Sequence, residues 1–518
     1  MNFAPPTIDW AALTPVLIVL GAGLLGVLVA AFVPRPARRG AQVVLTALAL
    51  AGALVAVVWR WTVVSVNGPA EIVGGSLIED GPALLAQGII ALVALVGLLV
   101  IADRSEWGED AFAAQAATRP GSPDEDEAQR AGLSQTEVFP FVLFSVGGML
   151  LFPAAGDLVM MFIALEVLSL PLYLLSGMAR RRRLLSQEAA LKYFVLGAFS
   201  SAFFVMGAAL LYGFSGSLRL SELAVAVPST VGMDGLLLAG SVLVIIGLLF
   251  KVGAVPFHLW IPDAYQGATI PVAAFLSVVS KGGAVAALVV VLAHPLVPLQ
   301  PRWDLFVAIV AALSMTVGNI GALAQRDVVG MLAWSAVAQG GFVLAPMVAL
   351  AVRADVVLTA PLRYLAVYAM ATLTVFAVAA VAARRFGGTS YAHLAGVGRR
   401  DPVLGVALVL GLLTLAGFPP AVIGLVAKYL VLQPVVVSGY AWLAGIMAVN
   451  VALGLVYYLR LVVVAYAPAA RVTAGDGAPV TSVREGRGAR LAYAVVVVGA
   501  VALAATSIAP SLLLGALP

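Results

Sequence analysis

The sequence predicts an all-α polytopic membrane protein with about 14 transmembrane helices, two inverted five-helix repeats and broken seventh and twelfth helices. Three observations carry that expectation. Of 518 residues, 62% are hydrophobic and only 10% charged, against the roughly 25% charged of an ordinary soluble domain. The apolar residues fall in runs of roughly 20, the length a hydrocarbon core about 30 Å thick demands of a helix. The arginines collect between alternate runs, as topogenic charges do.

The first run, at about 13–34, follows a start, Met1 to Trp10, without positive charge, and no small-residue cleavage pattern closes it. It reads as a retained helix. Runs at about 41–65 and 82–102 come next, then a polar stretch at 103–137 holding Asp124, Glu125, Asp126 and Glu127, which reads as a solvated loop. The fourth and fifth runs, about 138–155 and 157–178, are separated only by Pro153 to Asp157. The remaining runs lie at about 190–213, 235–260, 269–293, 303–323, 329–350, 357–382, 402–434, 439–466 and 490–513.

Nineteen arginines follow odd-numbered runs: Arg35, Arg38 and Arg39, then Arg104, Arg119 and Arg130, then Arg180 to Arg183, Arg326, Arg384, Arg385, Arg399 and Arg400, and Arg471, Arg484, Arg487 and Arg490. The opposite side holds Arg60, Arg219, Arg302, Arg353 and Arg363, with Arg460 near the end of the thirteenth run. Positive residues mark the cytoplasmic side, so both termini are expected on the non-cytoplasmic side and the loop 103–137 in the cytoplasm.

The chain has no cysteine and three histidines. Disulfides, thiolate metal sites, cysteine-ligated iron–sulfur clusters and multi-haem binding are excluded. No cofactor or metal is expected on this chain, and any redox group belongs to a partner. The net charge of +4, without a basic tract interleaved with aromatics, excludes nucleic acid as a partner.

The lysines carry the functional signal. There are four, Lys192, Lys251, Lys281 and Lys428, and each falls in a hydrophobic segment, where a charge costs most. Arginine keeps its proton, whereas a desolvated lysine can release one, so the pattern points to titration. Glu166, in MFIALEVLSLPLYLL, is the one glutamate well inside an apolar run, while Asp157, Asp263 and Asp401 lie at run ends. A buried carboxylate and ammonium stabilise each other's charge, which makes Glu166 with Lys251 a candidate switch. The alternative for each single charge is a static clamp between helices or a side chain that snorkels.

Two runs are interrupted by proline. Pro256, Pro262 and Pro271 fall between Lys251 and Lys281, and Gly417, Pro419 and Pro420 precede Lys428. Broken helices in corresponding halves point to a transport site, and a plain proline kink is the alternative. His258 stands beside the first break as a weaker proton-relay candidate or a structural histidine. His294 and His393 receive no role. Tyr193, Ser200, Ser201, Ser335 and Gln339 read as helix links that can hold water. The two broken runs lie about 170 residues apart, each fourth in a five-helix set. One set spans 138–293 and the other 303–466, and their odd and even starts make them inverted.

These residues resemble the antiporter-like membrane subunits of respiratory NADH-quinone oxidoreductase, which are similar in turn to subunits of multisubunit Na⁺/H⁺ antiporters. The likeness covers 138–466. FKVGAVPFHLWIPDAYQGATIPVAAFLSVVSK, LEVLSLPLYLLSGM and ALKYFVLGAFSSAFFVMGAALLYG are most similar to the subunit N branch, as is lysine in the twelfth run. YQGATIP departs from the family's more usual proline directly after the alanine, and the loop 103–137 is longer than the family's. The resemblance implies that Glu166 and Lys251 form a charge switch, that Lys281 is the central relay, that Lys428 stands near the outward exit, and that Lys192 is an additional lysine. It implies a proton-translocating, non-redox subunit of a bacterial cell-membrane complex. NADH, FMN, iron–sulfur clusters and quinone would sit on partners, which would include sister subunit M, small subunits K and J, and the lipid bilayer. The competing readings are a Na⁺/H⁺ antiporter subunit and a structural membrane-arm subunit.

Overall fold

The computed structural model describes residues 8–104, 111–112, 122–131, 133, 135–180, 183–229, 232–468 and 489–515. Its spans are α1 (Thr14–Phe32), α2 (Arg35–Asn67), α3 (Gly81–Ile101), α4 (Val138–Leu151), α5 (Leu158–Ser176), α6 (Arg183–Ser215), α7a (Asp234–Val252) with α7b (Trp260–Gly267), α8 (Ile270–Ala293), α9 (Gln300–Ala324), α10 (Val328–Leu344), α11 (Ala360–Phe386), α12a (Pro402–Ala416) with α12b (Val422–Val437), α13 (Ala441–Tyr466) and α14 (Arg490–Ile508). Among the described residues, twelve helices are long and apolar enough to cross a membrane. The two other expected spans are present in shorter pieces: α4 closes in a 3₁₀ turn at Phe152–Ala154, and the twelfth is halved.

Several boundaries differ from the hydropathy reading. Span 2 starts at Arg35, with Pro36 in its first turn, where a missing N–H costs nothing. Span 6 starts at Arg183. The seventh breaks at 253–259 and resumes as α7b to Gly267, so Lys251 lies in the last turn of its first half. Asp157 and Asp401 are N-caps, accepting from Met160 N–H and from Val403 and Leu404 N–H; Asp80, Thr269 and Asp327 do the same for α3, α8 and α10. Such caps satisfy backbone donors that a helix leaves unpaired. Asp263 lies in the first turn of α7b.

The breaks share one local design. α7a ends at Gly253 (φ +78°) and α12a at Gly417 (φ +72°), left-handed caps whose N–H groups close onto carbonyls of the preceding turn. Only glycine adopts this φ without strain. The following residues, Val255–Pro256 and Pro419–Pro420, carry cis peptide bonds. The two helix pairs opening the expected repeats also cross closely: a Cβ on Gly148 would overlap the Leu168 backbone, and one on Gly318 the Ala338 backbone.

Loop contacts sort the helix ends into two sides. On one, Arg384 pairs with Asp103 (2.5 Å), Leu491 N–H donates to Asp103 (3.0 Å), Arg385 pairs with Asp401 (2.8 Å), and Arg39 donates to the Ala102 carbonyl (3.1 Å). On the other, Gly156 N–H bonds the Ser76 carbonyl (2.9 Å) and Leu158 N–H the Leu218 carbonyl (3.0 Å). That second side carries an unexpected hairpin, β1 (Ala70–Ile72) with β2 (Leu77–Glu79). Buried Glu79 in β2 takes a two-pronged bond from buried Arg60 (2.7 and 2.5 Å). In the polar loop, the short helix Pro123–Arg130 turns Glu125 inward onto Arg180 (2.9 Å), so at that point the loop is docked rather than solvated. Arg119, Arg181, Arg182, Arg471, Arg484 and Arg487 lie outside the described residues, as do 105–110 and 113–121 of that loop. α8, α10 and α11 are the most enclosed spans, whereas α1, α6 and α14 keep most of their surface outward.

Candidate functional site

Three of the four lysines are buried in the centre of the bundle. Lys251, 2% exposed, donates to the Tyr173 hydroxyl of α5 (3.0 Å). Its ammonium also lies 5.1, 5.5 and 5.5 Å from the ring centres of Tyr173, Tyr193 and Phe250, within cation–π range. Trp260 opens α7b by stacking on Tyr193 (4.3 Å) and donating to the Phe250 carbonyl (2.9 Å). The first break therefore rests on the same aromatic box that holds the lysine.

Glu166 does not touch Lys251. Its half-buried carboxylate accepts from Ser201 of α6, and the ammonium is taken by Tyr173, seven residues further along α5. The expected pair is therefore not a contact pair: a hydroxyl and aromatic rings stand at the lysine end, and a serine hydroxyl at the glutamate.

Lys281, 2% exposed in mid-α8, donates to the Ala336 carbonyl of α10 and lies 5.7 Å from the Tyr368 ring centre. Lys428, 7% exposed in α12b, packs on the left-handed cap of α12a, where a Cβ on Gly417 would sit 2.7 Å from the lysine Cδ. Its ammonium lies 4.7 Å from the Phe342 ring centre. None of the three is in a salt bridge among the described residues. A hydroxyl, a carbonyl and rings offset the cost of their burial, in place of a carboxylate that would hold the ammonium charged.

Lys192 lies elsewhere. Nearly half exposed on α6, it pairs with Glu188 (2.7 Å) and Asp263 (2.9 Å), so its segment is apolar but its face is outward. His258 is buried between α7a and α7b, 5.5 Å from the Trp334 ring, and its Nδ1 makes no well-aligned hydrogen bond among the described residues. It bonds to neither lysine. His294 and His393 lie at span ends or in loops.

A second polar cluster joins α9, α10, α11 and α13. Gln339 accepts from Tyr364 and donates to the Tyr458 hydroxyl (3.2 Å) and to the Leu415 carbonyl (3.3 Å), beside the second break. Ser335 bonds Tyr458 (2.5 Å), and Tyr457 donates to Asn319 (3.0 Å), which donates to Asn450 (2.9 Å). Ser200 links α6 to the Gly247 carbonyl (3.1 Å). Sequence reasoning singled out Ser335 and Gln339 but missed Tyr173, Tyr364, Tyr368, Tyr457 and Tyr458. The available signal was tyrosine at four-residue spacing in Tyr364 and Tyr368, and paired in Tyr457 and Tyr458, within otherwise apolar spans. No group of three or more metal-ligating side chains occurs among the described residues.

Residues 155–454 match the family described as NADH:quinone oxidoreductase/Mrp antiporter, TM. NADH-quinone oxidoreductase subunit N of Beutenbergia cavernae is 52% identical over 458 residues, 85% of each chain, and that of Rhodococcus opacus 45% identical over 482 residues, covering 89% of this chain and 88% of the relative. A chain of respiratory complex I from Thermus thermophilus superposes with a TM-score of 0.74 at 30% identity, over 97% of this chain and 98% of that one. A chain of the Mrp complex from a Dietzia species has the same fold, with a TM-score of 0.77 at 22% identity over 97% and 95%. The sequence, the halved helices and these likenesses agree: the chain belongs to the NADH:quinone oxidoreductase/Mrp antiporter family of multi-pass membrane subunits, on its subunit N branch.

Proposed function

We propose that this chain translocates protons as a non-redox subunit of an NADH-quinone oxidoreductase, through Glu166, Lys251, Lys281 and Lys428. The observation that carries the reading is the set of three buried lysines held by hydroxyl, carbonyl and ring contacts. Lysine gives up and regains a proton, and arginine does not. Quinone chemistry on partners would change the field at Glu166, and Lys251, Lys281 and Lys428 would respond in turn. The two five-helix sets, 138–293 and 303–466, act as inverted repeats, each contributing a broken helix. The partners are sister subunit M and small subunits K and J in a bacterial cell membrane, with both termini on the non-cytoplasmic side. NADH, FMN, iron–sulfur clusters and quinone belong to the partners, and this chain holds none.

The test is proton pumping and NADH-quinone turnover in membranes carrying Lys251→Ala, with assembly checked on the same samples. The expected result is an assembled complex in which pumping and coupled turnover both fall. Wild-type pumping in an assembled variant would refute the role of the lysine.

A further inference from the structure

Lys281 and Lys428 share one neighbouring side chain, Tyr368. Lys281 lies against the ring of Tyr368 (5.7 Å to its centre), and Tyr368 lines a narrow cavity with Tyr364, Thr414 and Lys428. The cavity has room for about one water molecule. The Tyr368 hydroxyl is buried and makes no well-aligned hydrogen bond among the described residues, its polar neighbour being the Thr372 hydroxyl one turn on, which also lacks a partner. The Lys428 ammonium also lacks a hydrogen-bonding partner among the described residues and lies 4.7 Å from the Phe342 ring centre. The other hydroxyls at the wall are committed as donors: Thr414 to the Leu410 carbonyl (2.7 Å) and Tyr364 to Gln339. A buried polar group without a partner costs free energy, and Tyr368, whose hydroxyl is one, borders with Lys428 a space with room for a water molecule that could bond to both.

We propose that this cavity is a water site and that the Tyr368 hydroxyl relays the proton between Lys281 and Lys428, a step that rests on the proton-translocation reading. Lys281 swings from the Ala336 carbonyl to the Tyr368 hydroxyl and loses a proton to its oxygen as the tyrosine's own proton leaves to the cavity water. The water passes one proton to the neutral Lys428 amine. One proton is lost at Lys281 and one gained at Lys428, while tyrosine and water end as they began. Gln339 is a positioning residue: by holding Tyr364 of α11 and the Leu415 carbonyl of α12a together, it sets the width of the cavity.

The test is Tyr368→Phe in the assembled complex, because phenylalanine keeps the ring against Lys281 and removes only the hydroxyl. Turnover and pumping are expected to fall by about tenfold or more, with a rise in the solvent deuterium isotope effect that a merely structural loss does not produce. Ala427→Val, which fills the cavity from α12b, is the second variant and is expected to do the same if Tyr368→Phe fails to assemble. Lys281→Ala runs alongside. If Lys281→Ala loses pumping but assembled Tyr368→Phe or Ala427→Val keeps the wild-type rate and isotope effect, the relay is refuted and the translocation reading stands. If Lys281→Ala itself pumps normally, the translocation reading falls and the relay falls with it.

Discussion

Tyr173→Phe isolates the one hydrogen bond that Lys251 makes. The substitution removes the hydroxyl 3.0 Å from the ammonium and leaves the ring 5.1 Å away, so packing and the cation–π contact persist. A hydrogen bond to a charged group contributes about 1.5–3 kcal/mol. Losing it disfavours the protonated amine more than the neutral one, which can accept a weaker bond from the same hydroxyl, and lowers its proton affinity by up to roughly 10- to 150-fold. If turnover requires the protonated lysine, the alkaline limb of the pH profile moves down by up to about one to two pH units. The assay is NADH-quinone turnover with proton pumping in vesicles from about pH 6 to about pH 9, on complex confirmed as assembled. Gly197→Ala supplies an independent route to the same perturbation, because a Cβ there overlaps the Tyr173 hydroxyl and must displace it from the lysine. Wild-type profiles in both variants would show that Tyr173 does not govern the lysine.

Arg384→Gln leaves buried Asp103 without its cation. Burial already holds the Asp103 carboxyl above its usual range, against the opposing pull of Arg384. Ionisation of this carboxyl therefore costs folded-state stability as pH rises through its folded pKa, and removing the guanidinium raises that cost. The variant should lose about 3 kcal/mol, more at pH about 8 than at pH about 5.5, read as thermal dissociation of α14 and of the complex at the two pH values. Glu79→Gln strands the buried Arg60 guanidinium, with Asp9 left 3.8 Å away; a loss of about 3–5 kcal/mol is expected. The double variant Arg60→Met with Glu79→Leu should recover much of it in the same melt. Lys192→Ala, on the outward face, should leave pumping near wild type in assembled complex, and a loss as deep as that of Lys251→Ala would place it in the pathway.

Features set by a local run of residues were legible in the sequence. A span needs only an apolar stretch, and a break needs only its glycine and prolines, so the span count and both halved helices follow from residues near one another. The four lysines stood out because each falls in an apolar run, where a charge costs most, and three of them, Lys251, Lys281 and Lys428, are buried. What the sequence concealed was direction around the helix. In a soluble helix the polar face marks the outside, but here lipid accepts an apolar face as readily as the core does. Lys192 and Lys251 then look alike although one pairs on the surface with Glu188 and Asp263 and the other lies in an aromatic box. The partner of Lys251 was hidden for a related reason, since Tyr173 is 78 residues away and Glu166, on the same helix, offered the complementary charge that a hydroxyl lacks. The hairpin at Ala70–Ile72 and Leu77–Glu79 was hidden because three-residue strands are too short to show a period of two.

The two halved helices explain how lysines can be charged here without a carboxylate beside them. A helix C-terminus carries about half a negative charge, and it keeps part of that charge even where, as at Gly253 and Gly417, the cap N–H groups take up carbonyls of the last turn. Lys251 occupies the last turn before the Gly253 cap, within its own helix end. Lys428 reaches an equivalent end from the other side of a break, its side chain folded back against the Gly417 cap of α12a. Lys281 has no break in its own helix and takes the Ala336 carbonyl from α10. A carbonyl or a helix end attracts an ammonium with part of a charge, where a contact carboxylate would attract it with a full one and hold the proton through the cycle. On the proposed proton-translocating reading, a lysine at such a break would bind a proton strongly enough to admit it and weakly enough to release it, which a contact salt bridge would not provide.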